Sequence, residues 1–293
     1  MGPFGQLLTA MITPFAADGS VDYDRMARLA IHLVDNGHDG LLVTGTTGES
    51  PTLTDREKLA LYSTVVEAVG SKAAVVAGTG TYDTHHSIEL SVRAAELGVD
   101  GLMAVTPYYS RPPQAGLLAH FIAIADSTDL PLIVYNIPGR TATLIEADTL
   151  AEMAAHPNIV ATKDAVGDLG YTKASLELVP EDFLVYSGDD SATLPMLELG
   201  GVGVISVAGH FAGRQIKRMV EAHGRGDTVE AWRLHDGLMP LFDACFVEPN
   251  PMPTKAGLNA LWEPVGDPRL PLVPASVDTC DAVVAGVGLA QRL

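Results

Sequence analysis

Apolar residues along this chain fall into short, nearly unbroken runs separated by longer stretches with a helical period. The runs are LLTAMITPF from Leu7, GLLVTGT from Gly40, AAVVAGTG from Ala73, GLMAVTPYY from Gly101, PLIVYNIP from Pro131, NIVATKDA from Asn158, FLVYSGDD from Phe183 and GVGVISVAG from Gly201. They are rich in β-branched residues and bounded by Gly, Pro or Asn, so each predicts a strand. Between them, 24–36, 55–69, 83–97 and 114–126 repeat apolar residues every three to four positions and predict helices. Asp24, Thr54, Thr84 and Asp148 stand where N-caps or first-turn acceptors belong.

Unbroken apolar strands alternating with helices imply parallel strands buried on both faces. Eight such units within about 210 residues fit a (β/α)8 barrel, an α/β fold usually built from about 250 residues. A doubly wound open sheet is the rival arrangement. After Gly209 about eighty residues remain without a clear strand, and they predict further helices, the last near 276–289. The expected organisation is therefore a barrel over 1–210 and a helical extension over 211–293 packed against it.

Lys163 stands out within this pattern. The chain has six lysines, Lys58, Lys72, Lys163, Lys173, Lys217 and Lys255, and only Lys163 lies inside an expected central strand. Lys58, Lys72, Lys173 and Lys217 fall in amphipathic stretches or turns, and Lys255 follows the Pro-rich EPNPMP, where a helix is expected to open. A buried lysine loses favour for its charged form, which frees a neutral amine near pH 7 that attacks carbonyls. The alternative is a stem laid along the core with its ammonium in water.

In a (β/α)8 barrel the chemistry gathers at the C-terminal strand ends. Strand two ends in Thr46-Thr47-Gly48-Glu49, strand four in Tyr108-Tyr109, strand five in Tyr135 through Arg140, and strand seven in Gly188-Asp189-Asp190. Each has a plainer explanation alone: a tight turn, a half-buried phenol, a surface arginine, a capping carboxylate. Asp189-Asp190 lacks a nearby His or third carboxylate at ligand spacing, so no metal is expected, and the pair would repel a phosphate. GTGTYD from Gly78 departs from the dinucleotide fingerprint at its last glycine, so no nucleotide cofactor is expected. His85-His86 is expected on a solvated helix face.

Composition narrows the field. An apolar content of 47% supports a large core, and a net charge of −18 argues against nucleic acid or an anionic membrane as partner. Two cysteines, no signal-peptide pattern and no apolar run of membrane-spanning length suggest a cytoplasmic protein.

The motifs GTTGES, TPYYSRPPQAGL, YNIPGRT, ATKDA, YSGDD, GVISV and FVEPNPMPTK together resemble the dihydrodipicolinate synthase and N-acetylneuraminate lyase family of class I aldolases, over about nine tenths of the chain. The resemblance implies that Lys163 forms a Schiff base with pyruvate, without metal or organic cofactor. It implies that Tyr135, Thr46 and Tyr109 relay protons, with Tyr109 reaching in from a neighbouring subunit of a homotetramer made of two tight dimers. It further implies that Thr47 holds the pyruvate carboxylate, that main-chain groups of Gly188 and Ile205 line the site, and that Arg140 binds the carboxylate of L-aspartate 4-semialdehyde. Arg140 directly after YNIPG, with paired Thr46-Thr47, favours this synthase chemistry, part of diaminopimelate and lysine biosynthesis. The alternatives are cleavage of N-acetylneuraminate or of 2-keto-3-deoxy sugar acids, or a pyruvate-binding homologue without catalysis. Lysine-inhibited relatives carry an acid and an amide on the helix after strand three; the matching positions here are His86 and Tyr82, which implies weak feedback inhibition.

Overall fold

A computed structural model describes residues 2–293. Its strands are β1 (Leu7–Ala10), β2 (Gly40–Val43), β3 (Ala74–Gly78), β4 (Gly101–Val105), β5 (Leu132–Asn136), β6 (Ile159–Asp164), β7 (Leu184–Ser187) and β8 (Gly203–Ser206). All pair in parallel in chain order, and β1 pairs with both β2 and β8. The sheet is thus closed, and the open-sheet alternative is excluded. The strands are shorter than the apolar runs that announced them, because the C-terminal part of each run leaves the ladder and becomes loop. Those loops carry the polar residues of interest.

The helices are α1 (Tyr23–Asp35), α2 (Asp55–Val69), α3 (Thr84–Glu96), α4 (Gln114–Ala125), the single turn α5 (Pro138–Thr141), α6 (Ala147–Ala154), α7 (Leu169–Leu178), α8 (Thr193–Leu199), α9 (Gly209–Gly224), α10 (Thr228–Ala244), α11 (Met252–Leu261) and α12 (Val277–Ala290). Thr54 caps α2 with a reciprocal Thr54–Glu57 capping box, as its TDRE sequence dictates. Asp24 and Asp148 lie in first turns, while the cap of α3 is Asp83, one residue before Thr84.

Alternate strand residues divide the core into two layers. Leu8, Leu42, Val76, Met103, Ile133, Tyr135, Ala161, Tyr186 and Ile205 fill the barrel, with Phe4 among them. Leu41, Val43, Val75, Ala77, Leu102, Ala104, Leu132 and Val134 face outward into the shell of helices. A third cluster joins α9, α10 and α12. Here α9 packs on β1 as well as on α10, and Lys217 of α9 pairs with Asp39 just before β2 at 2.6 Å. No strand follows β8, in keeping with the polar, helix-period sequence there. The segment from Glu248 through α11 passes back to the barrel: Leu258 joins the outer barrel core, and Asn250 and Lys255 reach the loop after β2.

Candidate active site

Lys163 lies on β6, between Tyr135 on β5 and Tyr186 on β7 in the ladder register. It is 5% exposed, and its Nζ sits 4.4 Å from the centroid of the Tyr135 ring. Burial draws its ammonium down to about 8, Asp190 opposes this, and the Arg140 guanidinium adds to it. About a tenth of the amine is therefore unprotonated at pH 7, far more than for an ordinary lysine, as a nucleophile for carbonyl carbon requires. The backbone leaves room for it: a β-carbon at Gly188 would stand 3.1 Å from the Lys163 Cε and 2.7 Å from the Ala165 Cβ.

Tyr135 is also buried. Its phenol is pushed up to about 12 by burial, against the pull of Arg140 and of a hydrogen bond with Thr46. Tyr135 thus stays protonated at neutral pH, a phenol able to donate and hydrogen-bonded to the Thr46 hydroxyl. A cavity of about 220 Å³ is lined among others by Thr46, Tyr108, Tyr135 and Arg140, and Lys163 packs behind its Tyr135 wall. Arg140 stands on the one-turn α5, exposed at the rim, with no carboxylate in ion-pair range among the described residues. An unpaired guanidinium at a cavity rim suits a planar carboxylate.

Thr47 is buried, and its Oγ1 accepts the Asn250 Nδ2–H at 2.9 Å, so its own proton remains available to an anion. Ile205 is buried among the barrel-filling side chains on β8. Tyr109 behaves differently: with φ of 72° its ring points out of its own barrel and is 95% exposed. The structure therefore brings together Lys163, Tyr135, Thr46, Arg140 and Gly188, holds Thr47 next to Thr46 with its hydroxyl on Asn250, and leaves Tyr109 outside.

The Asp190 carboxylate is engaged by its own barrel. It is buried and accepts from the Ser206 hydroxyl and from the Val207 and Ala208 N–H groups, both at 2.9 Å. Among the described residues no group of three His, Cys, Asp or Glu side chains could hold a metal ion. The glycines of GTGTYD also have a packing reason, since a β-carbon on Gly78 would stand 2.7 Å from the Thr44 carbonyl oxygen. His85 is exposed, whereas His86 is half-buried and pairs with Asp55 at 2.8 Å, a contact across helices that sequence spacing does not reveal. Tyr82 is exposed and meets Tyr108 edge-on at 5.5 Å.

Several participants escaped the sequence reading. Lys163 is one of three buried lysines, with Lys58 and Lys255. Thr44 is held at φ 56°, bonded to the Tyr62 hydroxyl at 2.8 Å and the Gly78 carbonyl at 3.0 Å. Glu49, Asn250 and Lys255 belong to GTTGES and FVEPNPMPTK, but nothing in either motif announces that the two segments touch.

A carbonyl compound is what such an amine acts upon, and fold and site together define a lysine-dependent lyase of the (β/α)8 class. The model of the dihydrodipicolinate synthetase family matches residues 3–288, and the chain belongs to that family. It is 54% identical over 284 residues to the 4-hydroxy-tetrahydrodipicolinate synthase of Moorella thermoacetica, covering 97% of both chains. Over 273 residues it is 54% identical to the enzyme of the same name from Heliobacterium modesticaldum, covering 93% of this chain and 91% of that one. Among solved structures it resembles dihydrodipicolinate synthase from Cyanidioschyzon merolae with lysine bound, at a TM-score of 0.97, 45% identity and full coverage of both chains. The synthase from Aquifex aeolicus superposes at 0.95, with 39% identity and 98% of each chain covered.

Proposed function

We propose that this protein is a 4-hydroxy-tetrahydrodipicolinate synthase that joins pyruvate to L-aspartate 4-semialdehyde, with Lys163 as the Schiff-base residue. The observation that carries the reading is the Lys163 amine, buried and drawn down to about 8, packed 4.4 Å from the ring of Tyr135 in the wall of a cavity rimmed by the unpaired Arg140. Identity of 54% to synthases over nearly the whole chain supports the choice of substrates.

Lys163 Nζ adds to the pyruvate carbonyl, and the phenol of Tyr135 protonates the oxygen that leaves as water. Thr47, donating from its hydroxyl, holds the pyruvate carboxylate. The protonated imine draws electrons from the methyl C–H bond, and transfer of that proton to the Tyr135 phenolate left by the dehydration gives an enamine and restores the phenol. The enamine carbon bonds to the aldehyde carbon of the semialdehyde, held by its carboxylate on Arg140, and the aldehyde oxygen takes a proton and becomes a hydroxyl. The amine of that substrate then attacks the imine carbon, closes the ring and displaces Lys163, which regains its proton. The imine is itself the electron sink, so the chemistry asks for no added cofactor. Main-chain groups of Gly188 and Ile205 complete the lining.

Tyr109 extends the relay of Tyr135 and Thr46 from a neighbouring subunit, so the working unit is a dimer, within a tetramer of two dimers. Its exposure beside Tyr108, rather than in its own cavity, supports this. Among the described residues no helix is long and apolar enough to cross a membrane, which agrees with a cytoplasmic enzyme.

Borohydride reduction with pyruvate, followed by peptide mass mapping, tests the reading. One pyruvyl adduct is expected, on Lys163; an adduct elsewhere, or none, overturns it. Turnover with the semialdehyde but not with N-acetylmannosamine distinguishes the synthase from the lyase of the same family.

A further inference from the structure

The turn that leaves β2 is bracketed by two non-glycine residues in the left-handed region, Thr44 at φ 56° and Glu49 at φ 57°. Such backbone persists where surrounding groups over-determine it. Thr44 is held from α2 and β3, as described. Glu49 is held from the far end of the chain. Its Oε2 accepts the Arg269 N–H at 2.8 Å, and its Oε1 stands 2.7 Å from the Lys255 Nζ, with both side chains 1% exposed. Lys255 also donates to the Asp267 carbonyl at 3.2 Å and lies 4.0 Å over the Phe15 ring.

Lys255 is not a second Schiff-base lysine. Burial draws it down to about 8, as it does Lys163, but Glu49, the Asp267 carbonyl and Phe15 close around its nitrogen. Nor is net stability a sufficient account of the pair, since the desolvation of two buried ions is comparable to their attraction. What such a pair does supply is a fixed direction. Lys255 on α11 and Asn250 just before it grip the same turn two residues apart, at Glu49 and at Thr47. The Thr13 hydroxyl donates to the Gly48 carbonyl between them at 2.6 Å.

We propose that Lys255 is a positioning residue for pyruvate. Through its buried ion pair with Glu49 it fixes the Gly45–Glu49 turn, so that Thr46 faces the Tyr135 phenol and Thr47 presents its proton to the pyruvate carboxylate. This rests on the role given to Thr47 above. Misplacement of a binding group by a fraction of an ångström is enough to cost affinity without removing the nucleophile.

Lys255→Met is expected to raise the KM for pyruvate by about tenfold, leave the KM for the semialdehyde within about twofold, and keep the borohydride adduct on Lys163 at saturating pyruvate. Glu49→Gln/Lys255→Met removes both charges and is expected to regain thermal stability while the pyruvate KM stays raised. A double variant with wild-type Tm and wild-type pyruvate KM would overturn the proposal. If Lys255→Met does not fold, the near-isosteric Glu49→Gln carries the test: the same pyruvate-specific rise supports it, and an unchanged KM refutes it. Thr47→Val separates the two readings. If it leaves the pyruvate KM unaltered, the role of Thr47 fails; if it raises KM while the Glu49 and Lys255 variants do not, only the positioning role fails.

Discussion

Lys163 and Tyr135 are register partners across β5 and β6, and the lysine Nζ lies 4.4 Å from the tyrosine ring centroid. Ladder pairing alone brings the proposed nucleophile and proton donor together, on two adjacent strands whose alternation turns both side chains into the barrel. Burial shifts the two groups in opposite senses, toward a neutral amine and a neutral phenol. Neutral partners suit the opening step, in which the amine attacks and the phenol donates.

The rate of pyruvate imine formation should therefore rise with pH and level off near the Lys163 value of about 8. Arg140 holds that value down and Asp190 holds it up. Arg140→Gln should move the limb to higher pH, and Asp190→Asn should move it lower. Stopped-flow or quenched trapping with pyruvate alone reads this without the second substrate; a limb that moves the opposite way in either variant contradicts the electrostatic account.

Tyr135→Phe keeps the ring that packs beside Lys163 and removes only the proton. Turnover should fall by about 10²- to 10⁴-fold, the range for loss of a general acid or base. The adduct on Lys163 should still form, slowly. Full activity in this variant would mean that another group delivers the proton.

Arg140→Ala should act chiefly on the second substrate. A charge-assisted hydrogen bond is worth about 1.5–3 kcal/mol, so kcat/KM for the semialdehyde should fall by about 10- to 100-fold. Steady-state kinetics at saturating pyruvate checks this; an equal loss in pyruvate KM and none for the semialdehyde would move Arg140 to the other substrate.

Stability should fall in acid because of two imidazoles at the barrel wall. Burial lowers both His38 and His210 from 6.5 to about 4. His210 Nε2 accepts the Ile12 N–H at 3.2 Å, a bond that only the neutral ring makes, and His38 Nδ1 meets the Leu33 carbonyl at 2.7 Å. A base with a depressed folded-state value takes up its proton first in the unfolded chain, so stability is full above 6.5 and declines as pH falls toward 4. Each ring should cost about 2 kcal/mol between pH 7 and pH 5. Urea unfolding at both pH values reads it, and equal stability at the two would be inconsistent with neutral buried rings.

Feedback by L-lysine should be weak. His86 stands at the position implied to carry an acid in inhibited relatives, and it occupies the Asp55 carboxylate at 2.8 Å. Little inhibition is expected with lysine at about 1 mM, a concentration that saturates a site with micromolar Kd. Sub-millimolar inhibition in a steady-state assay would sink the idea.

Much of this was legible in the chain. The eight apolar runs set the barrel because a strand buried on both faces must be apolar on both, and TDRE set the start of α2 because a capping box is local. Lys163 was visible as a charge where charges do not belong. The strand ends were less legible, since an apolar run continues past the last ladder bond and only pairing with neighbours decides where it stops. The cap of α3 moved to Asp83 because Asp83 and Thr84 both offer an acceptor oxygen, and backbone geometry chose between them.

The sequence by itself determined the order of the elements, the periodicity that closes them, and which lysine stands as the candidate nucleophile. Those follow from local propensity and from the cost of burying charge. Only the tertiary structure decided what surrounds that amine. Lys255 sits in an ordinary helical pattern and Glu49 in an ordinary turn, and more than two hundred positions separate them. Their burial as an ion pair exists only because α11 folds back over the β2 loop. Tyr109 shows the reverse case: its motif placed it at the site, and its backbone turns it away from its own barrel. Contacts between distant segments depend on how the barrel closes, and no window of the chain contains that information.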